Sequence, residues 1–149
     1  MTIKDKLLQF CWDHVNEKME NLQKRSSALQ ESLNSETKSS AGDKHETGRA
    51  MVQLEQEKLG RQLYDLEDMK RLLQKVDITK NPHKIALGSL VKTSSANYFI
   101  SISAGEFKTN DTSIFCVSPS SPISKALLGK ETDNVFMFNS VQKKILDVS

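Results

Sequence analysis

Ser35-Glu36-Thr37-Lys38-Ser39-Ser40-Ala41-Gly42 is a small, polar run set between two long stretches that contain no proline. From Lys4 to about Asn34 there is no glycine either. Apolar residues recur there as Leu8, Cys11, Val15, Leu22 and Leu29, with Leu7, Phe10, Met19 and Leu33 beside them. Spacings of three, four and seven predict one buried face of a helix. Lys18 and Arg25 interrupt that seam. A second run from about Lys44 to Val76 carries Met51, Leu54, Leu59, Leu63, Leu66, Met69, Leu73 and Val76. Its Gly60 costs only about 1 kcal/mol relative to alanine in a helix interior. Two helices with facing apolar stripes and a short polar connection predict an antiparallel hairpin over residues 1–78. At about 1.5 Å of rise per residue, each arm is on the order of 45 Å long. A rod of that kind buries a narrow seam, and its far end is well placed to reach something.

That end reads Gly42-Asp43-Lys44-His45-Glu46-Thr47-Gly48-Arg49. Asp43 and Glu46 stand three residues apart, so on a helix both carboxylates point to one side. The spacing fits a helix start, with Asp43 as N-cap and Glu46 in a capping box. Helix capping is the ordinary reading of that spacing; the sharper one is a carboxylate pair offered to a hard divalent cation, which prefers oxygen ligands. Two carboxylates hold such an ion weakly, so the pair would complete a site elsewhere. The two readings are compatible.

Composition narrows the classes. Of 149 residues, 27% are charged, 37% hydrophobic and 6% aromatic, which favours small cores and two modules over one large core. No apolar run approaches the roughly 20 residues that span a bilayer. The start Met1-Thr2-Ile3-Lys4-Asp5-Lys6 lacks the apolar stretch of a secretory signal, so a cytoplasmic chain is expected. Cys11 and Cys116 lie far apart with no Cys-x-x-Cys, which argues against a disulfide scaffold or a zinc ribbon. Residues 1–78 carry a net charge of −1 and residues 79–149 a net charge of +3. Nothing in that balance demands an extended nucleic-acid surface.

Asn81-Pro82 marks a linker, after which the texture becomes rich in Ser, Val, Ile and Phe. Leu87–Thr93, Asn97–Ser103, Ser113–Val117, Val135–Phe138 and Val141–Val148 read as strands. Ser121-Pro122 opens a short helix through Leu128 that Gly129 closes. Residues 79–149 therefore form a small α+β module. Cys116, mid-strand between Phe115 and Val117, has the profile of a buried small hydrophobe.

The run Ser118-Pro119-Ser120-Ser121-Pro122-Ile123-Ser124-Lys125-Ala126-Leu127-Leu128-Gly129-Lys130 resembles the C-terminal signature of the bacterial Gre transcript-cleavage factors, GreA and GreB. Gly42, Asp43 and Glu46 match that family's Gly-Asp-x-x-Glu coiled-coil tip, and the order of the two modules agrees. The resemblance implies an α+β chain: an antiparallel coiled-coil hairpin with an acidic tip near 42–46, then an FKBP-like domain over 79–149. It implies a soluble, monomeric accessory factor for transcription elongation that binds bacterial RNA polymerase at the secondary channel. Asp43 and Glu46 would share a Mg²⁺ ion in that complex, near the RNA 3′ end, and stimulate cleavage of backtracked RNA. Ser121, Pro122 and Ile123 would lie at or near the polymerase contact. No tightly bound cofactor, small-molecule substrate, membrane or independent enzymatic activity is implied.

The chain departs from the family where Asn-Ala-Glu-Tyr follows the tip glutamate. Here Thr47-Gly48-Arg49-Ala50 stands instead, with an acidic residue replaced by Arg49 and the aromatic gone. Thr132-Asp133-Asn134 likewise replaces the Gly and Asp that often follow the C-terminal helix. These changes mark a divergent relative, and they leave open a channel binder that regulates or inhibits polymerase without cleavage. An unrelated coiled-coil adaptor is the third reading. His14, His45 and His83 fall at no ligand spacing, and neither a P-loop nor a nucleophilic triad can be assembled.

Overall fold

The computed structural model describes the backbone of residues 1–38 and 42–149, and the side chains of residues 1–35 and 48–149. Helix α1 spans Ile3–Lys38 and α2 spans Gly42–Gln74. A reciprocal box starts α1: the Thr2 amide donates to Asp5 Oδ2 at 2.9 Å, and the Asp5 amide donates to Thr2 Oγ1 at 3.1 Å. The Thr2 amide and the Thr2 hydroxyl, which also donates to Asp5 Oδ2 at 2.9 Å, hold the Asp5 carboxyl below the usual carboxylate range. The chain divides into two compact units, one of Val15–Met69 and one of Met1–His14 with Lys70–Ser149.

In the unit Val15–Met69 the helices form an antiparallel pair. Leu22, Leu59 and Leu66 are its buried centre, with Met19, Leu29 and Met69 packed against them. On α2, Leu59 and Leu66 are seven apart, and the half-buried Val52, Glu55, Gln62 and Met69 fall at alternating steps of three and four around them. That is a heptad seam. It corrects part of the sequence expectation, because Met51 and Leu54 are 66% and 65% exposed and Leu63 is 38% exposed. Each sits one position off the heptad, and one position is about a 100° turn of the helix. Polar Glu55 and Gln62 take the inward places instead.

The other unit is built on a six-stranded sheet of order β3-β4-β2-β1-β6-β5. The strands are β1 Leu90–Thr93, β2 Asn97–Ile100, β3 Gly105–Lys108, β4 Ser113–Val117, β5 Val135–Phe138 and β6 Val141–Val148. β2 and β4 run parallel; the other pairs are antiparallel. Strand β3 was not expected from the sequence. Gly105-Glu106-Phe107-Lys108 is mostly exposed and offers a single apolar residue, too little for an alternating pattern. Asn139 and Ser140, both with positive φ, make the two-residue connection from β5 to β6.

The sheet buries both faces. On one face Val91, Ile100, Ile145 and Phe136 pack with Ile85 and with Ile123 and Leu127 of helix α3, Pro122–Leu127. The opposite face carries Leu90, Phe99, Ser101, Ile114 and Cys116, as the register pairs Leu90↔Phe99 and Phe99↔Cys116 require. The first turns of α1 cover that second face. Phe10 meets Phe107 edge-on at 5.3 Å between ring centroids, and Cys11 Sγ lies 3.3 Å from Ser101 Oγ. Leu7 is fully buried and Leu8 only half so, which shifts the seam at this end by one residue from the expected Leu8.

Candidate functional site

The hairpin supplies one candidate site. Helix α2 begins at Gly42, which places Asp43 and Glu46 within its first two turns. The side chains of Asp43 and Glu46 lie outside the described residues. Arg49, three residues after Glu46, is helical and exposed. Below it, one polar rung crosses the hairpin: Arg25 Nη2 stands 3.3 Å from Glu55 Oε1, and Nη1 donates to Gln62 Oε1 at 3.5 Å. The rung and the Leu22–Leu59–Leu66 cluster fix which residues of the two arms face each other. Among the described residues, no three of His, Cys, Asp and Glu are grouped as ligands for a metal ion.

The C-terminal module supplies the other. Ser121 has extended backbone and caps α3: its Oγ accepts from the Ser124 amide at 3.3 Å and donates to the Ser118 carbonyl at 2.8 Å. Pro122 takes the first helical position, where its missing N–H is no loss, and it is exposed. Ile123 is turned into the core and only 7% exposed. So the three residues named from the sequence share one helix start but not one surface: Ser121 sets the backbone, Ile123 anchors it, and Pro122 faces outward. The helix closes at Gly129, whose φ of +81° suits glycine.

Two groupings escaped sequence reasoning. Leu128, Val135 and Met137 form an exposed apolar strip beside Lys125 and Lys130, along the outer side of α3 and edge strand β5. Val135-Phe136-Met137-Phe138 is apolar throughout, so no alternation distinguishes its outward members. Cys11 and Cys116, 105 positions apart, meet around Ser101; the sequence carried no signal for that contact.

No protein-family model matches the chain, and none of the curated proteins does. Solved structures do. The chain is similar to Gre-type factors along nearly its whole length. GreA factor homolog 1 (Gfh1) of Thermus thermophilus is 18% identical, with 93% of this chain and 94% of that one covered and a TM-score of 0.38. Gfh1 of Thermus aquaticus is also 18% identical, with 93% and 90% covered and a TM-score of 0.36. A further structure of the transcription factor Gfh1 is 19% identical, with 95% and 92% covered and a TM-score of 0.35. Among the described residues no helix is long and apolar enough to cross a membrane.

Proposed function

We propose that this chain is a Gre-type elongation factor that binds bacterial RNA polymerase in its secondary channel and stimulates cleavage of backtracked RNA. One coincidence carries the reading: Gly42-Asp43-x-x-Glu46 falls at the start of the second arm of an antiparallel hairpin, and an α+β module bearing Ser121-Pro122-Ile123 follows it. The hairpin is the delivery element and the module the docking element. At the tip, Asp43 and Glu46 would present carboxylate oxygens where the polymerase holds its catalytic cations. A divalent cation there supplies activation of the attacking water and charge neutralisation at the phosphate. The carboxylates' own part is to orient that water and accept its hydrogen bonds. The protein would then be an accessory to the polymerase's nuclease activity rather than a stand-alone enzyme.

A second reading has its own observation. Arg49 follows Glu46 by three residues on α2, and a positive charge at that spacing would oppose a cation bound by the carboxylate pair. Under that reading the protein occupies the channel and slows or inhibits synthesis without cleavage. Competition for core polymerase against a known channel-binding factor tests what the readings share. Displacement of that factor supports both, and its failure in the presence of this protein at micromolar concentration overturns both. Cleavage of RNA in a backtracked complex then separates them, and Arg49→Glu should raise cleavage if charge at that position is what limits it.

A further inference from the structure

We propose that Cys11 and Cys116 join in a reversible intrachain disulfide under oxidation, fastening the first turns of α1 to strand β4. The inference does not depend on the polymerase reading. Both thiols are free and buried, Cys11 at 0% and Cys116 at 2% exposure. Register places them together. Phe99 pairs with Cys116 in the parallel β2–β4 ladder, so Ser101, two residues on, continues the same face, and the Ser101 amide donates to the Val117 carbonyl at 2.8 Å. Cys11 comes down on that face with its Sγ 3.3 Å from Ser101 Oγ. The two thiols are close enough that each shifts the other's titration. No other cysteine exists in the chain to compete.

The surroundings give the two thiols different roles. Around the Cys11 sulfur stand the Cys116 S–H, the Ser101 hydroxyl and the Ile102 amide, all donors that favour its thiolate and lower its pKa. Cys116 is pushed up by that same bond and by burial. Cys11 rides on the helix start that can lift from the sheet, whereas Cys116 is held within strand β4, so Cys11 is the attacking sulfur and Cys116 the resolving one. With hydrogen peroxide as oxidant, the Cys11 thiolate attacks one peroxide oxygen and the O–O bond breaks. The departing hydroxide takes up the thiol's proton and leaves as water, and Cys11 becomes a sulfenic acid. The Cys116 sulfur then attacks the Cys11 sulfur, and its proton goes to the expelled hydroxide, which leaves as a second water. Two thiols lose two electrons and two protons; one peroxide becomes two waters.

Burial sets the conditions. Peroxide reaches Cys11 only when the start of α1 lifts from the sheet, so oxidation runs at the rate of that local opening. Reclosure brings Cys116 back faster than a second chain arrives, which favours the intrachain bond. Bonding draws sulfurs in contact to about 2.05 Å, so the helix is pulled toward the sheet, and the closed loop spans most of the chain.

The test uses the full chain, reduced and then treated with hydrogen peroxide, followed by unfolding in an alkylating reagent and mass analysis. The expected product is monomeric, has lost the mass of two hydrogens and takes up no label. It yields a non-reduced peptide joining Cys11 to Cys116, melts at a higher temperature than the reduced chain, and reverts with dithiothreitol. In Cys116→Ala the sulfenic acid should persist on Cys11 and be trapped by dimedone. Two labelled cysteines after treatment, cross-links only between chains, oxidation straight to sulfinic acid, or a lowered melting temperature of the cross-linked chain would each overturn the proposal. The wild-type result decides without any variant.

Discussion

Arg25 on α1 and Glu55 on α2 form an ion pair across the hairpin, 3.3 Å from Nη2 to Oε1, with each side chain about half exposed. Glu55 occupies an inward heptad position, so the pair marks register as well as charge. An exposed pair of this kind contributes up to about 1 kcal/mol. Arg25→Glu should therefore lower hairpin stability by about 1 kcal/mol or less, and the double swap Arg25→Glu with Glu55→Arg should recover most of it. Glu55→Leu should stabilise the hairpin by adding to the seam. Thermal unfolding followed at a helical circular dichroism band reads all three.

Buried and exposed leucines on the same helix should behave differently. Leu66 is 5% exposed and packs with Leu22 and Leu59, so Leu66→Ala should cost about 2–4 kcal/mol. Leu54 is 65% exposed, and Leu54→Ala should stay within about 0.5 kcal/mol of the parent. Urea titration of both variants checks the heptad assignment directly. Equal losses would mean that the seam runs through Leu54 as the sequence pattern alone suggests.

The helix start at Ser121 separates stability from binding. Ser121→Ala removes the oxygen that caps the Ser124 amide and should cost about 1 kcal/mol. Pro122→Ala changes an exposed side chain at a position tolerant of most residues, so the module's stability should hardly move. If this surface docks on polymerase, affinity should fall more for Pro122→Ala than its stability does. Melting curves and a polymerase binding titration on the same two variants provide the comparison.

Lys4 is buried near the start of α1, with only long contacts from Nζ, 3.4 Å to the Lys80 carbonyl and 3.5 Å to Asn81 Oδ1. Desolvation lowers its pKa below the usual 10.5. A lysine so shifted burdens the folded state while it is charged in both states. As pH rises from its lowered pKa toward 10.5, the folded state releases the proton first and stability climbs by this contribution. Lys4→Met should be at least as stable as the parent near neutral pH, and should lose that alkaline climb. Melting temperatures from pH 7 upward test both signs.

How far the sequence could be read follows from the kind of signal each element carries. Both long helices announce themselves through period and the absence of proline, and the short helix through its Ser-Pro start and Gly129. Their faces were less legible: Leu54 and Leu63 are one position off the true seam because polar Glu55 and Gln62 hold places that periodicity assigns to leucine, and Leu8 and Met51 likewise yield to their apolar neighbours Leu7 and Val52. Strand β3 was missed because it has one inward apolar residue. The meeting of Cys11, Ser101 and Cys116 depends on a parallel strand pairing and a helix returning over the sheet, and no local pattern encodes either. Asp43 and Glu46 were singled out by their spacing together with the resemblance to the Gre tip motif, and their side chains lie outside the described residues.

The central claim is that the hairpin tip acts inside the polymerase, and a backtracked elongation complex measures it most directly. Purified bacterial RNA polymerase, Mg²⁺ and RNA labelled near its 3′ end are incubated with the wild-type protein or with Asp43→Asn/Glu46→Gln. The account predicts short 3′ fragments with the wild type, their loss with the double variant, and channel binding retained by both. Equal fragments from both proteins would contradict the role of Asp43 and Glu46, and no fragments from either, with binding intact, would contradict cleavage itself.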